Sequence, residues 1–98
     1  MAYRLRYDLR FMRLLEALPG DVRSIARQRV KALAIEPYSP GAKELDEHPG
    51  YYRLWLPRGC RLVYEVREDE QIVDLLYVGP KSPDLYEKLG LDRPRRTL

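Results

Sequence analysis

The chain has 98 residues, 45% hydrophobic and 34% charged, with a net charge of +3. Those proportions describe one soluble domain with a single core and exclude a disordered chain. A single cysteine, Cys60, excludes an internal disulfide, no apolar run reaches the roughly 20 residues of a membrane helix, and the N-terminus MAYRLRYDLR has no signal-peptide core, so a cytoplasmic protein is expected. Tyr3-Arg4-Leu5-Arg6-Tyr7 alternates apolar and basic residues, as a half-buried first strand does. Asp8 is placed to cap a helix reaching residue 18, with Phe11, Leu14, Leu15 and Leu18 as its apolar stripe. Pro19-Gly20-Asp21 interrupts the chain. A second helix is expected over residues 22–35, with Val22, Ile25, Ala26, Arg29, Val30, Leu33 and Ala34 on its inner face and the Arg29 stem snorkelling outward.

Residues 42–50 are polar and read as a loop, in which His48, between Glu47 and Pro49, is an exposed turn residue. The next segment, YYRLWLPRGCRLVYEV over residues 51–66, reads as a tight β-hairpin. Pro57 and Gly59 suit a three-residue loop made of a type I turn and a left-handed glycine. That loop pairs Leu56 with Cys60, Trp55 with Arg61, Leu54 with Leu62, Arg53 with Val63 and Tyr52 with Tyr64. Side chains alternate along a strand, so Tyr52, Leu54, Leu56, Leu62 and Tyr64 share a core face. Arg53, Trp55, Arg61 and Val63 share the other face, which suits a polyanion with stackable bases. Fourteen of the eighteen basic residues are arginine, whose planar fork pairs with phosphate. An acidic turn, 67–70, leads to a last strand over 71–78, apolar on nearly both faces and stopped by Gly79-Pro80. Ser82-Pro83-Asp84 opens a short helix containing Leu85, Tyr86 and Leu89, with Gly90 as its C-cap. The expected fold is α+β, in the order β-α-α-β-β-β-α. A curved, mainly antiparallel four-stranded sheet carries the N-terminal helical hairpin on one face, and its other face stays open. The domain spans residues 1–90, followed by a basic flexible tail over 91–98.

The order of these elements resembles the RelE/ParE superfamily of toxin–antitoxin toxins. The resemblance rests on Gly59 to Tyr64, reading G-x-R-L-V-Y, and on Val78 to Tyr86, reading V-G-x-[KR]-x(4)-Y, and it covers nearly the whole domain. It implies a toxin held by a cognate antitoxin, with Leu9, Met12 and Leu14 as apolar positions for that contact. Two activities are implied. RelE-type members are ribosome-dependent mRNA endonucleases (mRNA interferases), cutting without a metal or other cofactor. ParE-type members inhibit DNA gyrase and are not nucleases. Carried over position by position, the site residues are Arg53, Trp55, Arg61, Lys81 and Tyr86. Trp55 stands where the RelE pattern has a lysine implicated in proton transfer, and Cys60 where an aromatic is usual.

Metal-free RNA cleavage needs a base for the 2′-hydroxyl, positive charge for the pentavalent phosphate, a proton donor for the 5′-oxygen and in-line geometry. Arg61 suits the phosphate clamp and Arg53 a second phosphate. Lys81 is a proton donor, a charge clamp or a plain loop lysine. Tyr86 orients the 2′-hydroxyl, stacks on a base or belongs to the core. Trp55 is a base-stacking platform if it faces solvent; if it faces the helices, the hairpin register is off by one. No residue is an evident general base. Glu65 shares the Arg61 face, where it serves as a base or as a salt-bridge partner of a neighbouring arginine.

Overall fold

The structure is a computed structural model that describes residues 2–82 and 85–91. Strand β1 (Arg4–Arg6) leads into helix α1 (Leu9–Glu16), whose first turn is closed by Asp8: its carboxylate accepts a hydrogen bond from the Phe11 amide at 2.9 Å. Such a cap contributes about 1 kcal/mol. Helix α2 (Gly20–Leu33) begins and ends two residues earlier than the periodicity suggests, because the Pro19 carbonyl already accepts from the Arg23 amide at 2.8 Å. Val22, Ala26 and Leu33 are its buried residues, and Arg29 lies exposed instead of on the inner face. Strands β2 (Lys43–Glu44), β3 (Tyr51–Trp55), β4 (Cys60–Arg67) and β5 (Ile72–Pro80) follow, then helix α3 (Leu85–Lys88).

The sheet has five strands in the order β1-β5-β4-β3-β2, and β1 runs parallel to β5 while the other pairings are antiparallel. The expected mainly antiparallel sheet of four strands is therefore a mixed sheet of five. The additional strand is β2, a two-residue segment in the polar stretch read as a loop, and two residues are too short to show a period. The β3–β4 register agrees with the expected one from Tyr52↔Tyr64 to Trp55↔Arg61, and the Leu56 amide donates to the Cys60 carbonyl at 2.8 Å. The loop between them has the expected three residues but not the type I geometry, since Arg58 lies in the left-handed region at φ 61°.

Strand β5 does not stop at Val78. It continues to Pro80, which pairs with Cys60 as the last residue of the ladder, where a missing amide is tolerated. Opposite Val63 and Tyr64 it pairs through Tyr77 and Leu75, so Leu76 is the extra residue of a β-bulge. The bulge reverses the alternation and lets Val73, Leu75 and Val78 all join the core. That core merges Phe11, Leu15 and Leu18 of the α1 end with Val22, Ala26 and Leu33 of α2 and with Leu54, Leu62 and Tyr64 of the sheet. Helix α3 ends on Gly90, at φ 74°, with the Leu91 amide donating to the Tyr86 carbonyl at 2.7 Å. Pro83 and Asp84, expected to open this helix, lie outside the described residues, as does the tail beyond Leu91.

Candidate nucleic-acid site on the second sheet face

Strand alternation sends Arg53, Trp55 and Arg61 away from the helical hairpin, and the C-terminal segment meets them there. The expectation of an open face holds only in part. Arg61 is 4% exposed and Val63 is fully buried, because the segment around α3 lies against this side of the sheet. The Tyr86 hydroxyl accepts a hydrogen bond from Arg61 Nη1. The other cover is Trp55, whose indole lies under the Arg61 guanidinium with the Cζ atom 4.0 Å from the ring centroid. Arg53 Cζ stands 5.5 Å from the same ring. Trp55 itself is 52% exposed, so the register that places it on the solvent side is the right one.

Arg53, Arg61, Lys81 and Tyr86 line one cavity of about 350 Å³, with Lys43, Glu44, Asp46 and His48 also in its wall. Lys81 is exposed and is held by its backbone, whose amide donates to the Gly59 carbonyl at 3.2 Å. Lys43 is the direct cross-strand partner of Arg53, so two like charges face each other at the cavity rim. Such a pair is unfavourable unless an anion lies between or beside them. Glu44 is engaged elsewhere, accepting from the Gly50 amide at 2.9 Å.

Among the described residues Arg61 has no carboxylate partner, and its buried Nε has no hydrogen-bond acceptor. Leaving a buried charged donor unsatisfied costs about 1–3 kcal/mol or more. An oxyanion in the cavity would remove that penalty. Burial pushes the Cys60 thiol up from its ordinary value, and Arg58 opposes this only in part, so Cys60 is no ready nucleophile. Among the described residues no cluster of three or more His, Cys, Asp and Glu side chains is placed to hold a metal.

Lys43 and His48 are among the cavity residues that escaped the sequence reading. Lys43 sits on the short β2, for which the sequence carries no period. His48 lies in the expected turn, yet its ring is 4% exposed instead of free in solvent. The turn folds back so that His48 stands edge-on to Tyr51, with centroids 6.2 Å apart. Glu65 is not in the cavity wall; its carboxylate lies 3.5 Å from Arg67, the salt-bridge role.

A variant of the E. coli toxin RelE in the free state superimposes with a TM-score of 0.74 at 26% identity, covering 89% of this chain and 93% of that one. The E. coli RelBE toxin–antitoxin complex gives 0.72 at 28% identity, covering 83% and 99%. The chain is RelE-like, similar in fold and in sequence to these RelE toxins. An archaeal RelE–RelB complex from Pyrococcus horikoshii OT3 shares the fold of this RelE-like chain at 20% identity, with a TM-score of 0.72 and coverage of 85% and 99%. No protein-family profile matches the RelE-like chain, and no curated protein does. The likeness is therefore carried by topology more than by sequence.

Proposed function

We propose that this RelE-like toxin is a ribosome-dependent mRNA endonuclease that cuts by transesterification through the 2′-hydroxyl. The observation that supports this most directly is the buried Arg61 guanidinium with no carboxylate partner among the described residues, at a cavity lined by three further cations. Arg61 would hold the equatorial oxygens of the scissile phosphate, and its hydrogen bond to the Tyr86 hydroxyl would fix the plane of the fork. Arg53 and Lys43 would take the neighbouring phosphate. Lys81, exposed at the cavity edge, would protonate the leaving 5′-oxygen. Trp55 would stack on an unpaired base, worth about 1–3 kcal/mol. The ribosome would supply in-line geometry, so the isolated protein should cut free RNA poorly.

Relatives are found in complexes with RelB antitoxins. For this chain an antitoxin in the same cytoplasm is the expected partner. Leu9 is exposed on α1, and Met12 lies in an apolar cleft with Tyr7, Phe11 and Leu15, which suits an amphipathic segment; Leu14 packs partly against the core and offers less.

The test is message cleavage in a translating extract. Wild-type protein should cut ribosome-bound message, and Arg61→Ala should slow this by roughly 10²–10³-fold, as loss of an oxyanion-stabilising donor does. Intact toxicity without message cleavage would sink the reading. Trp55 has no acid–base capacity, which favours a second reading, a ParE-like protein that binds and inhibits DNA gyrase without chemistry. Inhibited supercoiling in a purified gyrase assay would support it.

A further inference from the structure

The residues assigned above leave one part of the reaction without an owner. Arginine is never neutral near pH 7, indole accepts no proton, and the ammonium and phenol of Lys81 and Tyr86 are donors in their ordinary states. Something must take the 2′-hydroxyl proton. Resting on the endonuclease reading, we propose that His48 is the general base of this site.

His48 lines the same cavity as Arg53, Arg61, Lys81 and Tyr86. Its ring is almost fully buried, and its Nδ1 has no hydrogen-bond partner among the described residues. A histidine kept for packing alone would normally spend its buried nitrogen on a carbonyl or carboxylate. Here that bond is absent, although Glu44 and Asp46 share the cavity wall. The ring is nevertheless held firmly. The His48 amide donates to the Leu45 carbonyl at 3.3 Å, the Tyr51 amide donates to the His48 carbonyl at 3.1 Å, and the Tyr51 ring stands edge-on to the imidazole. Tyr51 belongs to β3 and, by alternation, projects to the same side as Arg53 and Trp55. The imidazole is thus positioned on the side of the sheet where the phosphate would lie, with Lys43, Arg53, Arg61 and Lys81 as the surrounding cations. Imidazole is the side chain suited to accepting and releasing a proton near neutral pH.

An imidazole nitrogen of His48 takes the 2′-hydroxyl proton, and that oxygen bonds to phosphorus. The bond from phosphorus to the 5′-oxygen breaks, its electron pair staying on oxygen, which takes a proton from Lys81. The products are a 2′,3′-cyclic phosphate and a 5′-hydroxyl, and both side chains recover their protonation states from solvent.

The experiment compares wild type, His48→Gln and His48→Gly in a translating extract between about pH 5 and 8, where an imidazole titrates, with cleavage mapped on a defined message. His48→Gln should cut roughly 10²–10⁴-fold more slowly, with ribosome binding and melting temperature unchanged. The fall in rate on the acid side should disappear with it, and added imidazole should restore part of the cleavage by His48→Gly. If the glutamine variant does not fold, His48→Asn makes the same comparison. Wild-type cleavage matched by His48→Gln, or a slowed variant that keeps the acid limb and ignores imidazole, would overturn the base while leaving the endonuclease reading in place. A wild-type protein that cuts no message would overturn both.

Discussion

The Arg61 guanidinium lies 4.0 Å above the centre of the Trp55 indole, across one rung of the β3–β4 ladder. The pairing ties an exposed residue of the second sheet face to a buried charge. A partly desolvated cation–π contact is worth about 1–2 kcal/mol. Trp55→Ala should therefore lower stability by about that amount in urea titration, and Trp55→Phe by less. Both variants should also weaken binding to single-stranded RNA, the alanine more, since the stacking surface goes with the indole. Unchanged RNA affinity in Trp55→Ala would remove the stacking role.

Lys43 and Arg53 face each other across β2 and β3. If both neutralise phosphates, each single alanine substitution should reduce the slope of log affinity against log salt by about 0.7 for single-stranded RNA. Relief of the like-charge pairing should leave the melting temperature of Lys43→Ala the same or slightly higher. An unchanged salt slope in Lys43→Ala would place that residue outside the RNA path.

Gly79 has φ 152°, and a Cβ built there would stand 2.9 Å from the Tyr77 hydroxyl, which itself donates to the Pro80 carbonyl at 2.6 Å. Gly79→Ala should cost about 1–3 kcal/mol from backbone strain and crowding. The loss should fall mainly on the turn into Lys81, and with it the cavity edge. Thermal melts of Gly79→Ala alone and with Tyr77→Ala separate the two causes: partial recovery in the double variant assigns that share to crowding.

Asp74 binds Arg6 through two contacts, at 2.5 and 2.8 Å, and Arg67 at 2.9 Å. The Arg6 hydrogen bond first, with Arg67 adding to it against the cost of burial, holds the Asp74 carboxyl below its ordinary value. A group depressed in the folded state contributes stability above its unfolded pKa, about 3.9 for aspartate, and loses it as pH falls through the folded value. Stability measured from pH 7 downward should drop in that acid window, and Asp74→Asn should flatten the drop. An identical acid limb in the variant would show that the bridge to β1 contributes nothing.

Much of the hairpin was legible beforehand because its information is local. A three-residue loop sets the register, the register sets the parity, and parity decides that Arg53, Trp55 and Arg61 share a face while Leu54, Leu62 and Tyr64 enter the core. The Asp8 cap and the Gly90 helix end are of the same kind, one or two residues acting on their own neighbours. The bulge at Leu76 was not legible, because an apolar run reads alike with or without an extra residue.

By itself, then, the amino-acid order determined most of the elements, the hairpin register and the arginine-bearing face, since turn geometry and side-chain alternation act within a few residues. Tertiary structure decided that β1 joins β5 in parallel and that Lys43 is a strand residue beside Arg53. It also closed Tyr86 over Arg61 and turned His48 from solvent into the cavity. Those placements join segments far apart in the chain, and only packing around a common core brings them within reach of one another.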